Sequence, residues 1–178
     1  MRKLSSTHPS IAITKVIVAS ILAAYSLSVS AGTATSNLSV TTSVAANCTI
    51  TTSAVGFGAY DPVVTNNASA LQGTGTVTVT CTSGSAGTIT LGQGISANTG
   101  SSDTAPLRRM LSGTTNYLSY SLYSDTGRTT VWGNTAGTGV VRTGTGAADA
   151  VTVYGSVAPG QNVPAGSYTD TVVATVTF

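Results

Sequence analysis

Gly32-Thr-Ala-Thr-Ser-Asn-Leu-Ser-Val-Thr-Thr-Ser-Val-Ala-Ala-Asn-Cys-Thr-Ile50 is the stretch on which the reading of this chain turns. Leu38, Val40, Thr42, Val44, Ala46, Cys48 and Ile50 share one parity, with mostly polar residues between them. Successive side chains of a strand point to opposite faces, so this is extended chain with one apolar face. At roughly 3.3 Å per residue these positions span about 40 Å, about twice a common strand of ~5–6 residues. One small domain cannot readily use that length in a single sheet. Either the run bends between two sheets, or its first half belongs elsewhere; the rest of the chain favours the second reading.

Ahead of this stretch lie Arg2, Lys3 and Lys15, then the apolar run Val16 to Leu27, then Ser28-Val-Ser-Ala31. A basic start, about a dozen apolar residues and small side chains at −3 and −1 of a cut after Ala31 have the form of a secretory signal peptide. Residues 1–31 are therefore expected to be a leader, and the apolar run is short for a membrane span of ~20 residues. Residues 32–178 are long enough for one domain with its own core. They hold Arg108, Arg109, Arg128 and Arg142 against Asp61, Asp103, Asp125, Asp149 and Asp170, a net charge of −1, with no Lys, Glu or His. No basic patch is left to neutralise phosphates, which argues against a nucleic-acid partner. Cys48 and Cys81 are the only cysteines. In an exported protein a pair most simply means one disulfide, closing a loop of about 34 residues and contributing roughly 3–4 kcal/mol. Two free thiols are the alternative; a metal site would lack a His to complete it.

Gly, Thr, Ser and Val dominate, no amphipathic helix is visible, and short alternating runs between turn residues predict an all-β sandwich. After Ile50, Val55 to Tyr60 with Asp61-Pro62 reads as strand end and turn. Thr76–Cys81, Thr88–Leu91, Leu107–Leu111, Asn116–Tyr123, Thr129–Trp132 and Val151–Val157 read as strands, with long loops over 63–73, 92–105 and 133–139. The last run, Ser167 to Phe178, places Tyr168, Val172, Ala174, Val176 and Phe178 on one parity. An immunoglobulin-like sandwich closes its core with seven strands. Here the set after the cysteines falls one strand short, while the amino end carries surplus strand. That imbalance predicts exchange of a strand between subunits.

Asn47-Cys-Thr-Ile50, Phe57-Gly-Ala-Tyr-Asp61, Val79-Thr-Cys-Thr82, Arg108-Arg-Met110, Leu118-Ser-Tyr-Ser-Leu-Tyr-Ser-Asp125, Val131-Trp-Gly133, Val153-Tyr-Gly155, Pro164-Ala-Gly-Ser-Tyr-Thr-Asp-Thr171 and Val176-Thr-Phe178 come in a specific order and spacing. With them the chain resembles the spore coat protein U family, whose members include subunits of archaic (Csu-type) chaperone–usher pili. The resemblance implies an incomplete immunoglobulin-like β-sandwich lacking its last strand and completed by donor-strand exchange. It also implies a periplasmic chaperone, an outer-membrane usher and neighbouring copies of the chain as partners. The subunit would pass through the periplasm to a cell-surface pilus, supporting adhesion and biofilm formation. Cys48 and Cys81 match the family's disulfide between the first strand after the extension and the second. Residues 32–45 are then expected to be the donor extension, with Leu38, Val40, Thr42 and Val44 entering the next subunit, and 46–178 the pilin domain. Val172, Ala174, Val176 and Phe178 are expected to face inward along the groove edge that a chaperone strand pairs with. No receptor-binding second domain is expected.

Catalysis has little to work with. Without a mature His there is no Ser-His-Asp arrangement. A carboxylate pair such as Asp149 with Asp170 could serve glycoside hydrolysis, but Asp is a common turn residue. Tyr117, Tyr120, Tyr123 and Tyr154 with Trp132 could form a carbohydrate platform, although aromatics are ordinary strand formers. Gly92-Gln-Gly94 lacks the strand-to-helix context of a phosphate loop. The chain is therefore expected to be no enzyme and to need no cofactor or metal. Its alternatives to a pilus subunit are a secreted, self-complemented glycan-binding sandwich and a coat or matrix protein.

Overall fold

The computed structural model describes residues 30–178; the expected leader over 1–31 lies, except for its last two residues, outside them. Among the described residues there are eight strands and no helix: β1 (Cys48–Gly56), β2 (Leu71–Cys81), β3 (Ala86–Leu91), β4 (Arg108–Ser112), β5 (Asn116–Tyr123), β6 (Val140–Thr143), β7 (Ala148–Val157) and β8 (Ala174–Thr177). They form a five-stranded sheet in the order β1-β2-β7-β5-β4 and a three-stranded sheet in the order β6-β3-β8. Every ladder is antiparallel. The all-β sandwich expected from the alternating runs is what forms.

The two-residue period explains the core. Val77, Val79 and Cys81 of β2, Val151, Val153 and Val157 of β7, and Leu118, Tyr120 and Leu122 of β5 are buried, and they meet Ile89 and Leu91 of β3 between the sheets. The threonines between them on β2 face outward.

Three inner-face positions are glycine instead, and their purpose is visible in β1. Ser53 pairs with Thr76 but Gly56 with Thr74, so β1 gains one residue on its partner. Such a bulge bends the strand, and here Val55 and Phe57 come down over the sheet. A Cβ on Gly73 would stand 2.5 Å from the Gly56 carbonyl oxygen, one on Gly75 2.7 Å from Val55 Cγ2, and one on Gly155 2.6 Å from Phe57 Cζ. The glycines make the room that the bent strand fills.

Two polar ties join the sheets. Arg108, on the inner face of β4, is 1% exposed. Its Nε donates to the Gly92 carbonyl (2.9 Å) and its Nη2 to those of Leu91 (2.8 Å) and Trp132 (2.9 Å). Burial pulls its pKa down to about 10, which leaves it charged at neutral pH. Trp132, fully buried, donates from Nε1 to the Ile89 carbonyl. The second tie is the chain from Tyr168 to Val173. Thr169 exchanges two backbone hydrogen bonds with Leu111 of β4, and Val173 then accepts from Gly92 just before β8 joins β3. This segment leaves one sheet for the other.

Some expectations need correcting. Thr129–Trp132 forms only a bridge from Val131 to Tyr123, because Asp125 takes the amides of Thr129 and Thr130 into a turn. The final run contributes strand only over Ala174–Thr177, since its first half crosses between sheets. β6 was not expected at all.

Gly73→Ala places its methyl against backbone and is expected to lower stability by about 1–3 kcal/mol. Gly155→Ala meets only a movable ring and a methyl and is expected to cost less; urea unfolding of the disulfide-intact protein ranks the two. Arg108→Ala leaves three interior carbonyls without their donor and is expected to cost more than about 3 kcal/mol in the same assay.

Candidate functional site

β1 and β8 each end a sheet, so each presents an edge of unpaired backbone groups. Between them lies a cleft of about 460 Å³, walled by Thr52–Val55 on one side and Tyr168–Thr171, Val172 and Ala174 on the other. Its floor is the core itself: Val77, Leu91, Tyr120, Leu122 and Val153. Past Phe57, Met110 and Tyr168, which line both spaces, a second cleft of about 770 Å³ runs on toward Tyr60, Leu71, Val157 and Val163. Phe57 stands edge-on to Tyr120, ring centres 6.0 Å apart.

Two polar side chains of the first cleft, Tyr120 and Asp170, are engaged with one another. Tyr120 donates to Asp170 Oδ2 at 2.7 Å, while Asp170 Oδ1 accepts from the amides of Ile95 (3.0 Å) and Ser96 (3.3 Å). Burial, and then the bond to Asp170, pushes the Tyr120 phenol well above its ordinary pKa, so it remains a donor. The groove therefore combines two unpaired edges with an apolar floor. Chemically, that arrangement suits one extended segment bearing apolar side chains at alternate positions.

Cys48 and Cys81 are bonded, directly opposite one another on β1 and β2 with Cα atoms 4.1 Å apart. Leu38, Val40, Thr42 and Val44 lie outside any strand, and Leu38, Val40 and Val44 are more than 80% exposed. Val172, Ala174 and Val176 are half-buried against the core. Phe178, expected inward with them, is instead 55% exposed, one residue beyond the last ladder pair at Thr177.

The remaining candidates do not come together. Asp149 lies 3.4 Å from Arg142, in a different cleft from Asp170. Asp61 is held below the usual carboxylate range by the amides of Val64 and Val63, Asp103 by Gln93 and Asn134, and Asp125 by Thr130 and Thr129. Tyr120 and Trp132 are buried, so the five aromatics form no shared surface; Tyr123 and Tyr154 face each other across β5 and β7. Sequence reasoning missed the wall at Thr52–Val55 and the buried Arg108. The parity that Arg108 shares with Met110 was a usable signal for the latter.

The comparisons with known proteins agree with this architecture. A solved structure, the CsuC–CsuE chaperone–tip adhesion subunit pre-assembly complex from archaic chaperone-usher Csu pili of Acinetobacter baumannii, has a chain similar in fold (TM-score 0.53, 19% identity). The match covers 76% of this chain and 40% of that one. "Protein U" of Myxococcus xanthus is 49% identical over 175 residues, covering 92% of this chain and 98% of that protein. The family model of the Spore Coat Protein U domain matches residues 34–175, and with its fold and its open groove in place, the chain belongs to the Spore Coat Protein U domain family.

Proposed function

We propose that this protein is a structural subunit of a surface fibre, built by donor-strand exchange through a chaperone–usher pathway. The observation that carries the reading is a complementary pair within one chain. The groove between β1 and β8 is open over an apolar floor, and Leu38, Val40 and Val44 stand exposed on one parity ahead of β1. Residues 32–45 would be the donor extension and 46–178 the domain that receives it, with residues 38–44 of one copy filling the groove of the next. Burying Leu38, Val40 and Val44 contributes roughly 1.5–3 kcal/mol each before ordering costs. Pairing with both edges adds a backbone ladder and removes the hazard of an open edge.

Before assembly the groove needs another cover. A periplasmic chaperone strand along Val172, Ala174 and Val176 would supply it, with Phe178 free to reach the same partner. An outer-membrane usher would then carry subunits to the cell surface, after export through the leader at 1–31. The kinship in fold with a subunit captured in a chaperone complex supports this route. Adhesion and biofilm formation are the roles such a fibre would serve. A coat assembled by the same exchange is the second reading, and the family's description as a spore coat domain favours it. Electron microscopy of the cell surface separates fibres from a continuous layer.

Val40→Asp is expected to abolish polymers while leaving the chaperone-bound subunit folded, because a carboxylate cannot enter an apolar groove. Heat-resistant ladders on unheated, non-reducing gels read the first effect, and co-purification with the chaperone the second. Ladders of normal length from the Val40→Asp chain would rule the donor assignment out. In a self-complemented monomer the same change would instead lower the melting temperature of the isolated domain.

A further inference from the structure

We infer that the junction between the extension and the domain is a tension anchor. Through it, a pull on residues 32–47 reaches β1 and β2 together at their first pair and cannot peel one strand from the other. This rests on the donor-strand reading, in which those residues join neighbouring subunits.

Within its own subunit β1 has one neighbour, β2, and most of its side chains are exposed. β2 lies between β1 and β7, with which it is in register from Leu71↔Val157 to Thr80↔Ala148. Tension arriving at Cys48 through plain peptide linkage would meet the weaker element first. It would peel or slide β1 off its single partner, beginning at the Cys48↔Cys81 pair. That first pair is the one closed by the disulfide. The covalent path crosses there to Cys81, so the two strands take up the load together and the loop from Thr49 to Thr80 cannot be drawn out while the bond holds.

The residues around the bond continue the alignment. Thr82 donates its amide to the Asn47 carbonyl (2.9 Å) and its Oγ1 accepts from the Asn47 amide (3.1 Å). The same hydroxyl lies 3.4 Å from the Ala45 carbonyl. The exit of the extension is thus bonded to the end of β2, one residue past the disulfide. On the inner side, a Cβ on Gly87 would stand 3.5 and 3.7 Å from the two sulfurs. These are ordinary contact distances, so β3 packs beside the bond, and Cys81 is buried. The anchor is held by both sheets.

Stretching single assembled fibres before and after reduction tests this, with cleavage of the bond verified by thiol alkylation and mass spectrometry. Intact fibres are expected to show no release of hidden length before subunits separate. Reduced fibres are expected to lengthen at lower force, by up to roughly 110 Å per subunit at ~3.3–3.6 Å per freed residue. The Cys48→Ser/Cys81→Ser chain should behave as the reduced fibre does; if it fails to fold, reduction after assembly still decides. Superimposable force–extension curves before and after verified reduction would overturn the anchor and leave donor exchange standing. Normal assembly by the Val40→Asp chain would remove the donor reading, and the anchor with it.

Discussion

The rung that joins Cys48 to Cys81 fixes the register on which one side of the groove depends. Slipping a strand by one residue turns every side chain to the opposite face, and a covalent first pair excludes the slip. With that register, Ile50 meets Val79 and points inward, while Thr49 and Thr51 face out. The bulge between Ser53 and Gly56 then delivers Val55 and Phe57 onto Gly75, Gly73 and Gly155. One wall of the groove is thus set by a bond several residues away.

The opposite wall is set by polar chemistry. The segment from Tyr168 to Val173 must cross from one sheet to the other, and crossing chain cannot satisfy its backbone in a single ladder. Its backbone bonds go to Leu111 at Thr169, to Ile95 at Thr171 and to Gly92 at Val173, and the Asp170 carboxylate accepts from two loop amides and from the Tyr120 hydroxyl. Arg108 does the corresponding work for carbonyls at the end of β3. Buried polar groups of this kind are costly unless nearly every atom is paired; among the buried side-chain polar atoms of the described residues only Arg108 Nη1 lacks a partner. Both walls are therefore tied to the sheets by bonds within the chain itself.

Where alternation was uninterrupted, the sequence could be read directly. β5 has the bounds Asn116 and Tyr123 that its pattern predicts. β2 reaches back to Leu71, five residues earlier than Thr76, because Gly73 and Gly75 replace the apolar side chains that would have marked its inner face. β6 is four residues flanked by Gly139 and Gly144 and shows no alternation to detect. Arg108 was hidden by its own chemistry, since a charged side chain ordinarily signals exposure. The exposed parity of residues 38–44 was legible. Of the groove, the edge along Val172, Ala174 and Val176 was expected and the wall at Thr52–Val55 was not, because that wall comes from a distant segment that meets the first only after the sheets have formed.

The arginines of the domain have a consequence for its survival outside a cell. Proteases of the trypsin class cut after Lys or Arg where the chain is exposed and loose. Residues 32–178 contain no lysine. Arg108 is enclosed, and Arg109 is bonded to the carbonyls of Ser96 and Ala97 with its guanidinium over Tyr117. Arg128 donates to the Gly155 carbonyl, and Arg142 lies in β6 beside Asp149. Residues 32–47, which lie outside any strand, hold no basic residue. Cleavage after Arg108 would have to wait for unfolding, whereas Arg142, its side chain 42% exposed in the short edge strand β6, is the site open to such enzymes in the folded domain.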